Sequence, residues 1–208
     1  MKRIQLLYLI LFALITNCSS NEMIFENAIC IQNINTIDPQ EGLKENQTVI
    51  LKDGKIFQIA NSNELELSPS NNIVDGTNLF MIPGLWDAHV HFDYNKQLAP
   101  TMFDLFLVYG ITSVRDTGGI IDIVKHWKDK SVANATSTPR VMIAGPLLDG
   151  KPNVYDGSIG RPELSVELND EMAVSHQIAL LDSIGVDFLK AYEMLTPCLL
   201  YTSDAADD

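Results

Sequence analysis

The feature that most constrains the fold of this chain is a change of rhythm near residue 79. Beyond it, short apolar runs alternate with longer segments of helical periodicity, and parallel β/α units satisfy that alternation. The pattern predicts strands over 85–89, 111–115, 141–144 and 187–192, and helices over 98–108, 120–130 and 170–184. Gly110 and Gly185 stand where two of the helices should stop, since glycine readily takes the left-handed conformation that ends a helix. A long Gly- and Pro-containing loop is expected over 145–162.

Before the change of rhythm the signals are short strands with polar turns, over 28–31, 48–51, 56–60 and 73–74. Lys52-Asp53-Gly54-Lys55 between two apolar runs is a hairpin signal, because Asp-Gly suits the turn that joins twisted antiparallel strands. Residues 23–80 therefore read as a small β module preceding the β/α region of 81–197.

The 208 residues are 46% hydrophobic and 20% charged, which is globular composition. A formal charge of -13 argues against nucleic acid as a partner, because phosphate binding needs clustered Lys and Arg. At the amino terminus Lys2 and Arg3 precede an apolar run over 4–15, the pattern of a secretory signal over 1–17. The run is shorter than the about 20 residues a membrane-spanning helix needs. Ile15-Thr16-Asn17-Cys18 resembles a bacterial lipoprotein box, with Asn17 where a small residue is usual. The resemblance implies acylation of Cys18, a membrane contact through that anchor alone, and a place in the bacterial cell envelope, periplasmic or membrane-anchored. Cys30, inside the apolar run 28–31, reads as a buried core thiol.

The chemistry centres on His89-Val90-His91. Residues two apart on a strand share a face, so both imidazoles enter one space, where neutral nitrogens suit zinc or a similar divalent metal. Two histidines hydrogen-bonded at a strand end would give the same spacing. In Gly185-Val186-Asp187-Phe188-Leu189-Lys190-Ala191-Tyr192 the alternation puts Phe188, Lys190 and Tyr192 on one face. A lysine aimed inward is costly unless its charge is lost or used; otherwise it snorkels to water. Arg115 and Asp116 end the second strand and are substrate-side candidates, or pair with each other or cap a turn. Tyr192 either reaches substrate or packs. His126 and His176 read as ordinary helix residues, and Asp149-Gly150 and Asp156-Gly157 as turn chemistry in a loop that could also cover the site.

Met81-Ile82-Pro83-Gly84-Leu85-Trp86-Asp87-Ala88-His89-Val90-His91 resembles the first-strand signature of the amidohydrolase superfamily. Gly110-Ile111-Thr112-Ser113-Val114-Arg115-Asp116-Thr117-Gly118-Gly119 and Arg140-Val141-Met142-Ile143-Ala144-Gly145-Pro146 resemble the second and third strands of its imidazolonepropionase-like and dipeptidase-like members. The resemblance implies an α/β fold, the first four β/α units of a TIM-type (β/α)8 barrel preceded by part of a small β-sandwich. It implies a divalent metal, zinc foremost, as one or two ions on His89 and His91. Lys190 would be carboxylated by CO2 to bridge two of them.

The activity implied is hydrolysis of an amide or peptide-like C–N bond in a small molecule or dipeptide, with the metal activating water and polarising the carbonyl. In the family two more histidines and a proton-shuttling aspartate follow strands five, six and eight. A whole barrel takes about 250 residues, whereas 85–197 supplies four strands, so the chain reads as an inactive amino-terminal part of the enzyme. Residues 198–208 fit neither the preceding strand nor a plausible next helix and resemble the translation of a sequencing-library adapter, so they read as a non-native tail outside the fold. Two other readings stand beside the first: a deaminase or cyclic-amide hydrolase of the same superfamily, which needs no bridging lysine, and a non-catalytic surface lipoprotein that binds rather than cleaves.

Overall fold

The structure is a computed structural model describing residues 22–204. The proposed signal segment and Cys18 lie outside the described residues. Among those residues no helix is long and apolar enough to cross a membrane. The chain divides into two compact units, one ending at Pro83 and the other beginning at Gly84.

The first unit is a sheet of β1 (Ala28–Asp38), β2 (Gly42–Lys52), β3 (Lys55–Asn61), β4 (Asn72–Asp75) and β5 (Phe80–Met81). Its order is β3-β2-β1-β4, with β5 also pairing β1. The β2/β3 hairpin turns at Asp53 and Gly54, whose φ angles of 52° and 70° are the left-handed pair that such a turn needs. Ala28, Cys30, Ile50, Leu65 and Leu67 form the core, and Cys30 has no solvent exposure. Burial raises its thiol pKa and keeps it protonated. β1 and β2 run 11 residues each, much longer than the apolar runs that signal them. The ladder needs only backbone groups, so polar residues such as Thr36 and Asp38 continue it beyond two register shifts.

The second unit contains β6 (Leu85–Val90), α1 (Ala99–Val108), β7 (Ile111–Asp116), α2 (Ile121–Ala133), β8 (Arg140–Ile143), β9 (Leu147–Asp149), β10 (Ser165–Glu167), α3 (Glu171–Ile184) and α4 (Pro197–Asp204). β6, β7 and β8 form a parallel sheet in that order. Val90, Val114, Val141 and Ile143 project from one face onto Phe103 and Phe106 of α1 and Val124 and Trp127 of α2. Phe92 lies at the centre, with no exposure, stacked on Trp127 at 5.4 Å and edge-on to Phe103 at 5.6 Å. Asp170 caps α3 by accepting the Ala173 N–H at 2.8 Å, and Gly185 ends it at φ 82°.

Three sequence expectations change. The segment 187–192 is extended but makes no regular ladder. Asp187 N–H donates to Ile143 O, Leu148 N–H to Lys190 O and Tyr192 N–H to Leu148 O, so the segment follows β8 and then β9. Between them Gly145 turns at φ 75° and Pro146 has no N–H to donate, which interrupts the pairing. The long loop is not structureless, since β9 lies within it and pairs with β10 just beyond it. In the tail, residues 197–204 form a helix, α4, where the sequence pattern offered none, and Leu199 buries against the cluster of Val174, Ile178 and Leu181 on α3.

Candidate functional site

Because Val90 faces the helices, its neighbours His89 and His91 face the other side of the sheet. Their Nε2 atoms stand 3.2 Å apart. His91 Nδ1–H donates to the carbonyl of Gly118 at 2.8 Å, which leaves its Nε2 lone pair free. Burial lowers the His91 pKa, aided by the charges of His89 and Lys190, although the Gly118 bond opposes the shift. A neutral ring with a free Nε2 is the form a metal requires. Two imidazole nitrogens on a tetrahedral zinc, each about 2.0–2.1 Å from it, stand about 3.3 Å apart. The donor pair therefore fits a divalent metal. The same spacing suits one N–H···N bond with His89 donating.

Gly118 is part of this arrangement for a steric reason. A Cβ there would lie 2.8 Å from Leu147 side-chain carbons and 3.3 Å from His91 Cε1. Thr117 Oγ1 adds a long contact of 3.5 Å to His91 Nε2. Among the described residues, no cluster of three or more His, Cys, Asp and Glu is arranged to hold a metal. Lys190 pairs through its carbonyl with the Leu148 N–H at 2.9 Å, and its charge helps to lower the His91 pKa.

Arg115 lies on the face of β7 opposite Val114, with its guanidinium 4.2 Å above the Phe188 ring. That contact joins β7 to the segment carrying Lys190 and Tyr192. Tyr192 is half-buried, its ring 5.8 Å from that of Tyr155, and burial with the Tyr155 hydroxyl raises its phenol pKa. Asp116 shares the helix-side face with Val114 and has no solvent exposure, so it does not present its carboxylate to a substrate. Its Oδ2 accepts the Phe92 N–H at 2.9 Å and its Oδ1 the Gly118 N–H at 3.1 Å. It thus pins the residue after His91 and the residue that holds His91. Burial raises its pKa to about 7 against the pull of these two N–H groups, and the Asp93 charge adds to the rise.

Two further buried carboxylates organise the loops. Asp93 accepts the Ile120 N–H at 3.0 Å, at the start of α2. Asp149 has no exposure and accepts N–H groups from Gly150, Val154 and Met194 at 2.9, 2.8 and 2.7 Å. Asp149-Gly150 carried only a turn signal in the sequence, and Gly118 none beyond its place in the second-strand resemblance. His126 is exposed on α2 beside Trp127, and His176 is exposed on α3.

No family model matches the chain. The dihydroorotase of Anaeromyxobacter sp. (strain K) is 26% identical over 166 residues, which are 75% of this chain and 35% of that enzyme. Adenine deaminase 2 of Shouchella clausii is 35% identical over 66 residues, 32% of this chain and 12% of that enzyme. Among solved structures, a Xaa-Pro dipeptidase aligns with a TM-score of 0.71 at 17% identity, covering 86% of this chain and 53% of that one. Molinate hydrolase aligns at 0.70 and 18% identity, covering 88% and 52%. The chain thus spans about a third of the dihydroorotase and about half of the solved chains. The curated relatives and the fold of the structural neighbours agree with the likeness of the first strand to the amidohydrolase superfamily.

Proposed function

We propose that this chain supplies the first four β/α units of a TIM-type barrel in a metal-dependent hydrolase of C–N bonds, acting on a dipeptide or another N-acyl amino acid. The observation that carries the reading is the His89–His91 pair at 3.2 Å, with His91 held in the ligating tautomer by Gly118. His89 and His91 would hold a divalent metal, zinc foremost, and Lys190, carboxylated by CO2, would join a second ion to the first. The metal, when bound, supplies Lewis acidity toward the scissile carbonyl and activates water. The chain's own residues orient the site: Gly118 fixes the His91 ring, Asp116 fixes the strand ends on both sides of it, and Arg115 on Phe188 braces the Lys190 segment. The remaining ligands and the proton-shuttling aspartate would come from sequence beyond the four units. On this reading the apolar leader over 4–15 carries the enzyme to the cell envelope.

A cyclic-amide hydrolase or deaminase is the second reading, favoured by the dihydroorotase and adenine deaminase relatives. Metal content separates the two. Full-length protein with two metals per chain, falling to one or none in Lys190→Ala, supports the bridging lysine and the first reading. One metal per chain in both proteins favours the second.

A further inference from the structure

The loop that follows β9 is tied to the segment that follows Lys190 through a single side chain. Asp149 Oδ1 accepts the N–H of Gly150 in the loop and of Met194 beyond Tyr192, while Oδ2 accepts the N–H of Val154. The two backbones touch: a Cβ on Gly150 would lie 1.8 Å from the Met194 carbonyl oxygen. The next residue of the loop, Tyr155, is held as firmly. Its carbonyl accepts the Leu164 N–H at 3.2 Å, the Ser165 N–H at 3.4 Å and the Ser165 hydroxyl at 2.9 Å. On the other side, Tyr192 N–H donates to Leu148 O at 2.8 Å.

The outcome is two half-buried rings on neighbouring loops, with centroids 5.8 Å apart and planes inclined at 56°. Tyr192 ends one extended segment and Tyr155 follows another, β9, at the carboxyl ends where parallel α/β sheets gather their ligands. A tyrosine with its backbone fixed offers large, rigid, amphipathic contact area at little entropic cost. Leu147 and the His91 ring crowd the same point at Gly118, 2.8 and 3.3 Å from where its Cβ would stand, and the next residue, Leu148, pairs with Lys190 and Tyr192 at 2.9 and 2.8 Å. The tyrosine pair therefore lies near the proposed metal site, on backbone that its own hydrogen bonds hold in place.

We propose that Tyr155 is a specificity-determining residue, forming with Tyr192 an aromatic wall beside Lys190 that receives a flat or apolar side group flanking the substrate's scissile amide. The inference rests on the hydrolase reading above and names the substrate feature that site selects. The test uses the metal-loaded full-length protein and N-acetyl amino acids whose side chain grows from glycine through leucine to phenylalanine. In Tyr155→Ala, the kcat/KM preference for the phenylalanine over the glycine member should fall about tenfold, carried by KM rather than kcat, with metal content retained. Tyr155→Phe should recover most of that preference. An equal loss across the series, or a loss of kcat and metal together, would overturn the proposal. If the wild-type protein hydrolyses none of the series, that failure belongs to the hydrolase reading. Calorimetric binding of the same compounds then decides the wall: weakening graded by side-chain size in Tyr155→Ala supports it, and ungraded or absent binding overturns it.

Discussion

His91 donates from Nδ1 to the carbonyl of Gly118 at 2.8 Å, and this bond determines which nitrogen faces His89. The partner is a backbone atom, so the ring orientation depends on the path of the chain after β7. Outer partners of this kind commonly alter metal affinity by 10–100-fold, to order of magnitude, when they are lost.

Gly118→Ala should therefore damage the site without touching a ligand. Its Cβ would press Leu147 at 2.8 Å and crowd the His91 ring at 3.3 Å. We expect zinc affinity to fall at least about tenfold and stability by about 1–3 kcal/mol. Competitive zinc titration together with urea denaturation checks both.

Asp116 should leave a signature in the pH dependence of stability. Its native pKa is raised from 3.8 to about 7, so between these values the native state holds a proton that the unfolded state has released. This contribution to stability is complete below about pH 4 and is lost as pH rises through 7, with a slope of at most about 1.4 kcal/mol per unit. Asp116→Asn should remove that slope and lower the plateau, because an amide nitrogen then opposes one of the two N–H donors at Phe92 and Gly118. Urea denaturation at several pH values between 4 and 8 is the measurement.

Phe92→Ala and Phe103→Ala should separate stability from metal binding. Both rings are buried around Trp127, and each truncation should cost about 3–5 kcal/mol. Phe92 also follows His91 directly, and although its backbone N–H to Asp116 survives the truncation, a backbone shift into the space left by the ring should weaken zinc binding as well. Phe103, on α1, has no such link, and its variant should keep the wild-type zinc affinity once folded.

The order of strands and helices in the second unit was legible because apolar periodicity and the stops at Gly110 and Gly185 are local signals. The lengths of β1 and β2 were not, because polar residues continue a ladder that hydrophobicity does not register. β9 and β10 were missed as three-residue strands, too short for alternation to show. The helix of α4 was not legible because 198–204 carries no clear helical apolar periodicity, and Leu199 alone finds a buried place against α3. His89 and His91 stood out because two ligand side chains two residues apart are themselves a pattern. Gly118 and Asp149 did not, since each acts through backbone geometry that exists only once distant segments meet. The placement of Asp116 was within reach: it lies two residues from Val114 and so shares its helix-side face.

The central claim is that His89 and His91 together hold a divalent metal. Competitive zinc titration of the metal-stripped full-length protein tests it most directly, comparing the wild type with the His89→Ala/His91→Ala variant. The account predicts that the wild type binds zinc tightly and stoichiometrically, and that the double variant loses at least about a hundredfold in affinity while remaining folded. Zinc affinity unchanged in the folded double variant would contradict it.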